Sequence, residues 1–198
     1  MTLRVYRIPF STNVERVALA LAHKGLAVEW MDVDPRDRGP VREVSGQDLV
    51  PVLVDDGRVV SDSPAILRYL EEQQPEPRLY PRDPARRAEV EVFVDWFNRV
   101  WKIAPNALES GGPDEELSRE LRDSRDVFEA LLDGRDYLFG DELTVADLVA
   151  FPFLKYGLHW DPADDEPFHR ILADHLRLDG AYPQLEAWVR RIDALPRA

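Results

Sequence analysis

The sequence predicts a small α/β unit followed by an all-α unit. Three observations carry this: strand-like and helix-like periods alternate in the first third, four prolines then crowd together, and everything after them has helical spacing. Pro75, Pro77, Pro81 and Pro84 fall within ten residues. Such a cluster without periodicity is a stiff connector. The expected domains are therefore 1–76 and 84–198, joined by a linker over 77–83.

Each element has its own warrant. Leu3–Ile8 alternates apolar and basic residues, as a short strand does. Val14, Val17, Ala18, Leu21 and Ala22 have helical spacing over Val14–Lys24, and Gly25 ends the helix. Val28–Val33 reads as a second strand. Residues 34–48, rich in Asp, Arg, Gly and Pro, read as a loop with room for a short helix. Val52–Val54 and Arg58–Ser61 read as a hairpin around Asp55-Asp56-Gly57. Pro64–Gln73 is a helix with Ile66, Leu67, Tyr69 and Leu70 on its apolar side. Beyond the prolines, one helix is expected over Pro84–Ala104, with Val90, Phe93, Trp96, Phe97, Val100 and Trp101 on one face. Gly111-Gly112-Pro113 breaks it. Asp114–Leu132, Thr144–Tyr156, Phe168–Leu176 and Tyr182–Leu195 follow as helices, the second of these apolar enough to be buried.

Composition excludes several functions. The 198 residues include no cysteine, so a disulfide framework, a thiolate metal site and a protein-thiol nucleophile are all ruled out. Lys+Arg is 25 against 38 Asp+Glu, a net charge of -13. That balance argues against nucleic acid and anionic membrane surfaces as partners. Residues 79–198 hold most of the negative charge, which reads as a solvated acidic face. The start, Met-Thr-Leu-Arg-Val-Tyr-Arg, puts arginines where a signal peptide needs an apolar run, and the expected location is cytoplasmic.

Four short stretches could carry chemistry. In Phe10-Ser11-Thr12-Asn13-Val14-Glu15-Arg16, Thr12 and Glu15 have capping-box spacing. Ser11 then either keeps a free hydroxyl beside a helix N-terminus, where an anion is stabilised, or is itself the cap. Val50-Pro51, at the start of a strand, is a candidate cis bond that would turn the Val50 amide and carbonyl outward toward an extended peptide. In Ser61-Asp62-Ser63-Pro64, Ser63 reads as N-cap with Pro64 at N1. Asp62 would suit an ammonium group and Ser63 a carboxylate, or the pair is plain capping. Thr144 and Asp147 form a further capping box, read as structural. His23, His159, His169 and His175 show no metal-ligand spacing, so no metal is expected. Trp101 is a candidate wall of an apolar pocket.

Taken in order, these stretches resemble the glutathione transferase family, most closely its serine-type members, including the zeta class. Phe10–Val17 and the following Ala-Leu-Ala-Leu-Ala-His-Lys-Gly-Leu resemble its first strand–helix turn. Val50-Pro51-Val52-Leu53 resembles its cis-proline loop, and Ser61-Asp62-Ser63-Pro64-Ala65-Ile66 its third-helix opening. Thr144–Asp147 and Tyr182-Pro183 with Trp188 and Arg191 resemble later landmarks. The resemblance implies a thioredoxin-like first domain, a helical second domain, a homodimer, and glutathione as co-substrate with a small electrophile. It implies Ser11 on the thiolate, Val50 (before Pro51) on the cysteinyl backbone, and Asp62 and Ser63 on the γ-glutamyl end. Conjugation in detoxification, isomerisation of the maleylacetoacetate type, and non-catalytic binding of a protein partner all occur in the family. The chain departs from zeta-like members in having Ser11-Thr12-Asn13 where they have Ser-Ser-Cys, and in lacking Asn-Pro before Val50. Arg38, Arg42 and Gln47 are the candidates left there for the glycyl end.

Overall fold

A computed structural model describes residues 3–198. They form two compact units: residues up to Leu79 together with Leu195–Ala198, and Tyr80–Ala194.

The first unit runs β1 (Leu3–Arg7), α1 (Thr12–His23), β2 (Val28–Asp32), α2 (Gly39–Ser45), β3 (Val52–Asp55), β4 (Arg58–Ser61) and α3 (Ser63–Gln73). The sheet order is β2-β1-β3-β4, with β1 parallel to β2 and antiparallel to β3. Strand alternation sends Tyr6, Val52 and Val54 to one face, where they pack with Val33 and Val41. Leu3, Val5 and Leu53 are buried on the other face. α1 and α3 pack together and bury Val17, Leu21, Ile66, Leu67 and Leu70. The hairpin turns through Asp56 and Gly57, both at positive φ (45° and 90°), the geometry a two-residue connection between twisted strands requires. α1 ends where Gly25 (φ 62°) lets Leu26 N–H reach back to the Leu21 carbonyl at 2.9 Å.

Lys24 is the anchor of this unit. Its buried ammonium donates to Glu71 Oε2 (2.6 Å) and to the carbonyls of Gln74 (2.7 Å) and Pro77 (3.0 Å), and Glu71 also accepts the Leu79 N–H at 3.0 Å. All three ammonium protons are thus used, which burial of a charge demands. Sequence reading assigned the last residues to the helical domain. Instead Ala198 N–H donates to the Ala18 carbonyl (3.2 Å), the Trp30 indole donates to the Ala198 carbonyl (3.0 Å), and Arg197 pairs with Glu15 (2.9 Å).

The second unit contains α4 (Pro84–Trp96), a π turn (Phe97–Trp101), α5 (Ile103–Gly111), α6 (Glu115–Leu131), α7 (Val145–Leu154), a 3-10 turn (Lys155–Gly157), α8 (Pro167–His175) and α9 (Pro183–Asp193). The single helix expected over 84–104 is broken by this π turn. Pro105 has no N–H for the Trp101 carbonyl, and its ring crowds that carbonyl in a continuous α-helix. The chain widens instead, and Lys102 N–H reaches the Phe97 carbonyl at 3.2 Å. The turn stacks Trp101 on Phe97 (4.4 Å between centroids, 14° between planes), and both rings meet Phe128 and Phe153 edge-on. α7 lies at the centre with every residue buried. Its capping box forms as the spacing predicts. Asp147 accepts from Thr144 N–H (2.8 Å), Thr144 Oγ1 (2.9 Å), Leu138 N–H (2.9 Å) and the Trp188 indole (2.9 Å). Among the described residues no helix is long and apolar enough to cross a membrane.

Candidate functional site

The sheet register gathers the candidate segments. Tyr6 near the end of β1 pairs with Val52 at the start of β3, and Val52 pairs with Ser61 at the end of β4. The stretch after β1, the Val50-Pro51 step before β3 and the Ser61-Asp62-Ser63 exit from β4 therefore share one end of the sheet. It is also the end where the parallel strands β1 and β2 finish, the usual side for a ligand in an α/β sheet.

At the first stretch the structure selects between the two readings of the cap. Ser11, not Thr12, is the N-cap, and its hydroxyl accepts the Val14 N–H at 3.4 Å. Thr12 becomes the first helical residue and is buried. Phe10, in the turn that follows β1, has φ 58° and immediately precedes Ser11. A hydroxyl that accepts a cap bond still holds its proton. Half-buried Ser11 therefore combines an O–H donor with the positive end of a 12-residue helix.

The Val50–Pro51 peptide is cis, and so is Glu76–Pro77 in the proline cluster. Val50 packs at the edge of the Tyr6–Val52 core while Leu49 beside it is exposed. The 35–49 stretch, which includes α2, is braced from within. Arg42 pairs with Asp48 (2.7 Å), which holds its guanidinium pKa above the ordinary value. Gln47 donates to the Leu49 carbonyl (2.8 Å) and accepts the Leu49 N–H, and Arg38 donates to the Pro35 carbonyl (3.0 Å).

The third stretch differs from its expected capping by one residue. Asp62 is the N-cap of α3, Ser63 is the first helical residue and Pro64 the second. Asp62 sits at φ 74°, ψ 126°, outside the regions that side chains favour, and its carboxylate is exposed and caps no amide. Ser63 turns inward. Its hydroxyl accepts from Arg16 Nη1 (3.2 Å) and donates to Asn13 Oδ1 (3.3 Å). These bonds tie the start of α3 to the first two turns of α1. Arg16 is fully buried, which pushes its pKa down to about 9, against the upward pull of the Asp62 carboxylate.

Sequence reasoning missed Asn13 and Arg16 as part of this arrangement. Arg16 sits beside Val17 in an apolar helix, and the signal available was a charged side chain within a run of buried positions. In the second unit, Trp101 does line a cavity of about 320 Å³, together with Trp96, Val100, Leu121, Ser124 and Val127. Its indole donates to Ser124 Oγ at 3.0 Å. Buried His169 contacts Asp164 (2.9 Å) and stacks on Tyr156, whose hydroxyl donates to the same carboxylate (2.7 Å). Among the described residues no group of three or more His, Asp or Glu side chains is placed to hold a metal ion.

Comparison with known proteins agrees with this geometry. Residues 5–78 match the model of the glutathione S-transferase N-terminal domain, and residues 112–196 match that of the C-terminal domain. The chain is 33% identical over 174 residues to glutathione S-transferase GstB of Escherichia coli (strain K12), covering 77% of this chain and 83% of that protein. It is 34% identical over 199 residues to maleylacetoacetate isomerase of Pseudomonas aeruginosa, covering 91% and 92%. The crystal structure of a glutathione S-transferase from Rhodospirillum rubrum F11 superposes with a TM-score of 0.74 at 29% identity, over 97% of this chain and 88% of that one. With matches to both domain models and relatives aligned over most of their length, the chain belongs to the glutathione S-transferase family.

Proposed function

We propose that this protein is a glutathione transferase that joins the glutathione thiolate to a small electrophile, with Ser11 as the catalytic donor to the sulfur. Val50, ahead of Pro51, pairs its backbone with the cysteinyl residue. Asp62 holds the γ-glutamyl ammonium, and the Ser63 turn holds the carboxylate. The protein works as a homodimer in the cytoplasm, in detoxification. The observation that carries this reading is the convergence of Ser11, Val50-Pro51 and Asp62-Ser63 at one end of the sheet.

The chemistry follows from elementary values. A free thiol has a pKa of about 8.5, so only a few per cent is ionised at neutral pH. A hydrogen bond to a charged acceptor stabilises it by roughly 1.5–3 kcal/mol, and about 1.4 kcal/mol equals one pKa unit. The Ser11 O–H and the helix end together are sufficient to make thiolate the major form. The thiolate lone pair then forms the S–C bond to the electrophilic carbon. The displaced electrons leave with the leaving group, or pass to an activated double bond that takes a proton from water. Since the protein has no cysteine, the reacting sulfur comes with the tripeptide.

Isomerisation is the second reading, favoured by the 34% identity to maleylacetoacetate isomerase. There the thiolate adds to a double bond, the resulting single bond rotates, and the thiolate leaves, so glutathione is regenerated. Calorimetry with glutathione, followed by thiol consumption assays, tests both. Binding with one thiol consumed per turnover is expected; product formed with no thiol consumed selects the isomerase. Absence of binding at millimolar glutathione ends both readings.

A further inference from the structure

Arg197 and Ala198 touch α1 close to Ser11. The Glu15 N–H closes onto the Ser11 carbonyl at 3.0 Å, so Glu15 stands one turn further along the same helix face, with about 5–6 Å between the two Cβ atoms. The tail is held against α1 by its backbone. Ala198 N–H donates to the Ala18 carbonyl at 3.2 Å, and the Ala198 carbonyl accepts the Trp30 indole N–H at 3.0 Å. Trp30 is steadied in turn by Arg7, whose guanidinium lies 4.8 Å from the ring centre and bonds Asp32 at 2.7 Å. With the tail so anchored, Arg197 Nη2 lies 2.9 Å from Glu15 Oε1, and the two side chains are only 27% and 16% exposed.

Glu15 by itself works against a thiolate at Ser11. It is the acidic residue of the first turn of α1, and its carboxylate competes for the positive helix end that Ser11 presents. A bare carboxylate one turn away would raise the pKa of a thiol held there. Arg197 brings an equal and opposite charge to nearly the same place. The other charged groups around this end of α1 are engaged elsewhere: Arg7 with Asp32, and Arg16 with the Ser63 hydroxyl and the Asp62 carboxylate. We infer that Arg197 is a positioning residue for the thiolate: acting through Glu15, it cancels the carboxylate one turn from Ser11 and leaves the helix end to the sulfur. This rests on the proposed glutathione site. Because both side chains are largely shielded from water, salt screens the pair less than an exposed one.

The test follows the ultraviolet absorbance of bound glutathione thiolate against pH, together with the pH profile of kcat. It compares the unsubstituted protein with Arg197→Met, Arg197→Lys, Glu15→Gln and the double variant Glu15→Gln/Arg197→Met. Arg197→Met should raise the thiol pKa by about half a unit and slow conjugation about threefold at pH values below it. Glu15→Gln should lower the pKa by about as much. The double variant should return it to the starting value, and Arg197→Lys, which keeps the charge, should hold it there. The opposite signs of the two single variants are the signature of charge. Either single variant breaks the same ion pair, so a merely structural role moves the pKa the same way in both or in neither, and each of those results overturns the inference. Should Arg197→Met fail to fold, an unlowered pKa in Glu15→Gln overturns it alone. If the unsubstituted protein binds no glutathione, the glutathione reading itself falls; if it binds glutathione and the thiol pKa ignores the pair, only the role of Arg197 does.

Discussion

Ser11 illustrates how one side chain can serve fold and chemistry together. Capping uses a lone pair of its oxygen, through the 3.4 Å bond from Val14 N–H, and leaves the proton for a ligand. The substitution Ser11→Ala removes both. We expect the pKa of bound thiol to rise by about one unit and conjugation at neutral pH to slow about tenfold. The lost cap should also cost about 1 kcal/mol of stability. A pH–rate profile and a thermal melt separate the two effects, and an unshifted profile would remove Ser11 from the thiolate role. At this scale the sequence narrowed the N-cap to Ser11 or Thr12. Both have the right hydroxyl, and only the structure decided between them.

Elements are held to one another by a few buried polar groups and close contacts. Asp147 joins α7 to α9 through Trp188 and to the preceding turn through Leu138. Burial raises its pKa, while the four donated bonds act in the opposite direction. Asp147→Ala would leave buried N–H donors of Leu138, Thr144 and Trp188 without an acceptor, and the expected loss is about 3 kcal/mol or more. Denaturant unfolding measures it; a loss within error would show that these donors find other acceptors. Gly157 makes a different kind of contact. A methyl group there would land on the Leu176 carbonyl oxygen. Gly157→Ala should therefore cost roughly 1–3 kcal/mol through forced displacement of backbone, read as a lower melting temperature. The capping box around Thr144 was legible because its spacing is local. The Lys24–Glu71 anchor was not, because its partners lie 47 residues apart and no periodic pattern marks them.

For the molecule as a whole, acid is the informative perturbation. His23 is held below its ordinary pKa, chiefly by burial. The Arg78 carbonyl and Glu71 pull it up, and Lys24 pushes it down. Because the folded value is the lower one, the unfolded chain takes up a proton first. Stability is therefore fully present above about pH 6.5 and is lost as pH falls through the folded value. The melting temperature should drop between pH 7.5 and 5.5, and His23→Gln should flatten that slope. An identical slope in the variant would place the titration elsewhere. The -13 charge, concentrated after residue 78, sets the background for any such measurement.

The sequence by itself determined the element order of the first unit, the hairpin and the buried α7, and it singled out short stretches as candidates to bind an anion, an ammonium or an extended backbone. These are readable because capping, turn chemistry and burial periods act over a few residues. Tertiary structure alone decided three further matters. The antiparallel pairing of β1 with β3 brought Ser11, Val50 and Asp62 to one end of the sheet. Pro105 opened the expected single helix into a π turn and stacked Trp101 on Phe97. The Arg16 and Asn13 contacts turned the Ser63 hydroxyl inward. Each depends on groups distant in sequence meeting in space, and on the high cost of leaving a buried polar group without a partner, neither of which a local spacing records.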